Sequence, residues 1–100
     1  MRLLYKFFHK KDVDEELKKC GFTKTEENKF CVSYERYNDE FQYVHCVELH
    51  LSSHKQSCFI MSYEKGINKD GFNNCVGLTV HEVSLILNKI NMLAKQHNML

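Results

Sequence analysis

One hundred residues make a single domain, enough for one core and too few for a deep cleft between domains, which weighs against an enzyme and in favour of a binding module. With 43% apolar and 27% charged residues the composition is that of a folding chain, and wholesale disorder is excluded. Fourteen basic against thirteen acidic side chains leave a formal charge of +1, which argues against a generic nucleic-acid binder and equally against an acidic mimic of nucleic acid.

The first residues form an apolar run, Leu3, Leu4, Tyr5, Phe7 and Phe8, which Lys6 interrupts and His9, Lys10 and Lys11 follow. It is too short for a signal peptide or a membrane span. Leu3, Leu4, Phe7 and Phe8 suit a helical turn, whereas Leu3, Tyr5 and Phe7 suit a strand, and pattern alone does not decide between them. Asp12 with Glu15 is a capping-box-like start, Val13, Leu17 and Cys20 share a helical face, and Gly21 is a stop, so a short helix is expected over 13–20.

From 22 to 63 the period changes to two. A brief strand at 22–27 turns at Asn28 and Lys29. Phe30, Val32 and Tyr34 then alternate with Cys31, Ser33 and Glu35, and Phe41, Tyr43, His45, Val47, Leu49 and Leu51 with their polar neighbours. Phe59, Met61 and Tyr63 continue the rule. A two-residue turn at Asn38 and Asp39 would pair 34 with 43, 32 with 45 and 30 with 47, apolar against apolar. For the next hairpin an odd-length loop is expected, pairing Leu49 or Val47 with Phe59. Residues 65–78 lack either period and hold three of the four glycines, as functional loops often do.

Thr79 with Glu82 is a capping box for a last helix over about 80–97. That helix carries two apolar stripes where one suffices. Val80, Val83, Ile86, Leu87, Ile90, Leu93 and Ala94 gather on one face and are expected to pack on the sheet. Leu85, Met92 and Met99 gather nearly opposite, flanked by His81, Asn88 and Lys95. Either the amino-terminal run covers this second stripe, or the stripe binds a partner. The six residues Leu85, Met92, Met99, Asn88, Lys95 and His81 are the candidate partner-binding set. The expected fold is α+β, a four-stranded antiparallel meander with a short helix before it and a long helix packed on the face of Val32, Tyr34, Tyr43, Val47, Leu49, Phe59 and Met61.

Chemistry-bearing constellations are sparse. The expected register sets Cys31 opposite Cys46, with Cys58 and His50 on the same face. These are zinc-type donors, yet they lack the C-x-x-C knuckle spacing of a structural site. No metal and no cofactor are therefore expected. His45 and Cys46 are adjacent in sequence, but side chains of neighbouring strand residues point to opposite faces and make no catalytic dyad. Five cysteines, an odd number, without an export signal point to reduced thiols in the cytoplasm.

Zero prolines, twelve lysines against two arginines, and eight asparagines have the look of an AT-rich genome. In size and composition the chain resembles accessory proteins of phages and mobile elements in low-GC bacteria. The function expected is a non-enzymatic protein-binding module, for example an anti-defence inhibitor, with a host or phage protein or a second copy of itself as partner. The alternative is a small nucleic-acid-binding regulator, using the basic and aromatic amino-terminal run.

Overall fold

The computed structural model describes residues 12–52, 56–66 and 73–97. The amino-terminal run therefore lies outside the described residues, as do the glycine-rich middle of 65–78 and Met99. Helix α1 (Val13–Lys19) starts on Asp12, whose carboxylate accepts the Asp14 N–H at 2.9 Å, and stops at Gly21 with φ +96. Four strands follow, β1 (Thr23–Glu27), β2 (Cys31–Asn38), β3 (Tyr43–Ser52) and β4 (Ser57–Lys65), all antiparallel in the order β1-β2-β3-β4. Helix α2 (Val80–Gln96) closes the fold on a full capping box between Thr79 and Glu82. This is the expected α+β meander with its two helices.

Both helices lie on one face of the sheet. Val13 and Leu17 of α1, Leu85, Ile86 and Leu93 of α2, and Val32, Tyr34, Val47, Leu49 and Leu51 of the strands form one buried cluster closed by Phe22. Burying such side chains contributes about 1.5–3 kcal/mol each before conformational entropy is set against it.

The strands fall where the alternation predicts, but their registers differ from expectation. Asn38 pairs with Tyr43, so the β2–β3 loop has four residues rather than two, and Tyr34 faces Val47 instead of Tyr43. The Asn38 carboxamide accepts the Phe41 N–H at 3.0 Å, and Gln42 takes φ 55 to turn the chain. A slip by an even number keeps each side chain on its face, which is why periodicity could not detect it. Cys31 consequently lies opposite His50, and Cys46 opposite Glu35.

In the next hairpin the expected odd loop is wrong. Ser52 pairs with Ser57, Leu49 with Ile60, and His50 with Phe59, an even connection that puts Cys58, Ile60 and Ser62 on the helix side. Phe59 and Met61 therefore leave the core and stand exposed on the opposite face at 62% and 36%.

Helix α2 is also turned. Its buried residues are Glu82, Leu85, Ile86, Lys89, Leu93 and Ala94, whereas Val80, Val83 and Leu87, assigned to the core by pattern, are 88%, 40% and 49% exposed. At 100° per residue the core-facing direction lies about 90° from the stripe expected there, between the two apolar stripes. Ion pairs account for the choice. Glu82 reaches Arg36 of β2, and Lys89 Nζ lies 2.8 Å from Glu27 of β1 and 3.2 Å from Asp14 of α1.

Candidate functional site

Two polar networks tie the helices to the sheet, and neither is legible in the sequence. In one, Asp14 accepts the Tyr34 hydroxyl at 2.6 Å and Lys24 at 2.9 Å, while Lys89 and Lys24 also engage Glu27. Burial pushes the Asp14 carboxyl up, but Tyr34 and the lysines outweigh it and hold the carboxyl below its ordinary value; Lys24 and Lys89 do the same for Glu27. Alternating charges here pin α1, β1 and α2 together.

In the second, the Arg36 guanidinium bonds Glu82, donates to the Cys20 carbonyl at 3.0 Å, lies 4.2 Å from the centre of the Phe22 ring, and donates through Nε to His45 Nδ1 at 3.3 Å. Because arginine only donates, the hydrogen-bond pattern assigns His45 the neutral form with its proton on Nε2. That proton goes to Ser62 Oγ at 2.7 Å, and Ser62 donates to the Val76 carbonyl at 2.7 Å. Burial and the Arg36 charge both hold the His45 pKa down. A serine beside a histidine suggests an activated nucleophile, but the Ser62 proton is committed to Val76 and His45 offers no free base. The arrangement fastens 74–76 to the outer edge of β4, where Glu64 N–H reaches the Asn74 carbonyl at 2.9 Å and Val76 N–H the Ser62 carbonyl at 3.0 Å.

The opposite face of the sheet is more open. Ser33, Glu35, Cys46, Glu48, Tyr63 and Lys65, with Thr25 and Glu26 from β1, line a shallow depression of ≈ 340 Å³. Lys65 pairs with Glu35 at 2.5 Å, and the Tyr63 hydroxyl donates to Glu48. Burial, with the nearby carboxylates, pushes the Cys46 thiol pKa up, so this sulfur is held protonated and is a poor nucleophile. His45 points to the helix side, away from it, as strand alternation requires.

Of the four zinc-type residues singled out in the sequence, the structure brings together only Cys31 and His50. Cys58 falls on the helix side, and Cys46 pairs with Glu35 two rows away. Glu48 joins the pair instead, and donor atoms of Cys31, Glu48 and His50 all lie within 4.8 Å of one another. Sequence reading passed over Glu48 in this role because the two-residue turn placed the wrong cross-strand neighbours beside it.

The candidate partner set is divided. Leu85 is 8% exposed and belongs to the core, whereas Met92 is 50% exposed and His81, Asn88 and Lys95 stand on the surface. Other large apolar groups are left uncovered instead. Val83 and Leu87 stand exposed on α2, and Ile60, 43% exposed, lies on the helix side of the sheet in β4. Among the described residues none pairs with the outer edge of Ser57–Met61, since 74–76 covers only the stretch from Ser62 to Glu64.

No described helix is long and apolar enough to cross a membrane. Comparisons with models of known protein families, with curated proteins and with solved structures give no match.

Proposed function

We propose that this chain is a non-enzymatic module that binds another protein through its uncovered apolar groups, the outer edge of β4 and the exposed side of α2. The observation that carries the reading is the exposure of Ile60 at 43% on the helix side of a stretch of strand edge with no described partner, with Phe59 exposed at 62% on the other side of the same strand and Leu87 of α2 at 49%. Exposed strand edges are ordinarily blunted by charge or proline, as β1 is by the run Thr23, Lys24, Thr25, Glu26, Glu27. Edge β4 has large apolar side chains instead, which suits a partner that adds an extended segment and covers Ile60. The buried thiol of Cys46 and the committed hydrogen bonds of His45 also favour binding over catalysis.

The test uses Ile60→Glu and Leu87→Glu, each at an exposed position. Both should melt close to the parent and lose a stoichiometric protein partner recovered with the tagged parent chain, while Lys95→Glu keeps it. A partner retained by both apolar-to-acidic variants overturns the reading. So does salt-sensitive retention on DNA or RNA in place of any protein partner.

A further inference from the structure

We infer that Cys31, Glu48 and His50 form a binding site for a borderline divalent cation of the zinc class on the open face of the sheet. The four-residue β2–β3 loop sets Cys31 directly opposite His50, and alternation along β3 brings Glu48 to the same face two residues earlier. A sulfur, a nitrogen and an oxygen then lie within 4.8 Å of one another, with His50 Nε2 at 3.0 Å from Glu48 Oε1. Tetrahedral zinc with bonds of about 2.0–2.3 Å spaces its donors by roughly 3.3–3.8 Å, so the cluster closes on an ion with side-chain shifts of about an ångström.

The surroundings suit the ligands. All three side chains are half-buried, open to an entering ion but partly removed from water. Glu48 uses its other oxygen, Oε2, to accept the Tyr63 hydroxyl, which orients the carboxylate as outer-shell partners do in metal sites. The Ser33 hydroxyl, 3.7 Å from Cys31 Sγ, is placed to donate to a thiolate. Thiolate and imidazole together disfavour calcium and magnesium, which prefer all-oxygen shells, and suit zinc. Three protein ligands leave the fourth position to water, the arrangement of an open rather than a closed zinc site.

The experiment is a titration of the reduced, metal-free full chain with zinc against a chromophoric chelator, and with cobalt as a spectroscopic probe. One zinc should bind per chain, and cobalt should show tetrahedral visible bands with a thiolate charge-transfer band in the near ultraviolet. Cys31→Ser and His50→Gln should each weaken zinc at least about 100-fold, and Tyr63→Phe about 10–100-fold, the effect of losing an outer-shell partner. Cys58→Ser, on the other face, should bind as the parent does. Circular dichroism of each variant separates loss of ligand from loss of fold. Absence of stoichiometric zinc in the folded parent, a cobalt complex without the thiolate band, or undiminished binding in folded Cys31→Ser overturns the site.

Discussion

At the scale of single residues, His45 shows how a titratable side chain becomes structural. It is 1% exposed, receives one hydrogen bond from Arg36 and gives one to Ser62, and the chain of donors ends on the Val76 carbonyl. Ser62→Ala should leave the His45 Nε2–H buried without a partner, at a cost of about 1–3 kcal/mol. Thermal melts measure the loss, and hydrogen exchange should show the Val76 and Glu64 amides exchanging faster than in the parent. Unchanged protection at both amides would refute the fastening role. The alternation placed His45 on the core face from sequence alone. What it could not supply were the partners, because Arg36, Ser62 and Val76 meet His45 only once the strand registers and the path of 74–76 are set.

Among the elements, the strands and helices were legible and their relative settings were not. Capping at Asp12 and Thr79, the stop at Gly21 and the period of two located each described element to within a residue or two. The β2–β3 slip kept the parity of every side chain, so apolar pattern could not see it, and with it went the pairing of Cys31 with His50. The β3–β4 hairpin failed for a different reason. Phe59 and Met61 look like core residues, but they are exposed, and β4 follows the loop geometry in place of its own pattern. In α2 the pattern was right for Ile86, Leu93 and Ala94 and wrong for Val80, Val83 and Leu87, because Glu82 and Lys89 are buried with charged partners, which hydrophobicity counts as solvent-facing. Leu85→Ala should cost about 2–5 kcal/mol, the range for truncating a buried leucine, while Val80→Ala, at an 88% exposed position, should stay within about 0.5 kcal/mol. Equal melting temperatures for the two variants would return the helix to the orientation that its apolar stripe suggests.

For the whole molecule, the two ionic networks fix the response to acid. Asp14, Glu27 and Glu82 each have pKa values below the ordinary carboxylate range in the fold, so they stabilise it above their unfolded values and lose that contribution as pH falls through the folded ones. For Glu82 burial works the other way, but the Arg36 and Thr79 bonds outweigh it. His45 has the same sign, since burial and the Arg36 charge depress its folded pKa below the ordinary histidine value of about 6.5 and the unfolded chain takes up the proton first. Melting temperature should therefore start to fall below about pH 6.5 and fall further in the carboxylate range. His45→Gln should remove the first decline and keep the second. A melting temperature that rises between pH 7 and 5.5 in the parent would contradict this.

Helix α2 carries oily residues on both flanks and charge along its middle. With leucine in place of Glu82 and Lys89, the apolar surface would wrap most of the cylinder, and many rotations about its axis would bury comparable amounts of it. Ion pairs of this kind add little net stability over well-packed hydrocarbon, but each is satisfied at only one angle. Arg36, Asp14 and Glu27 thus act as a detent: they stop the helix at a single setting and leave one oily flank facing outward.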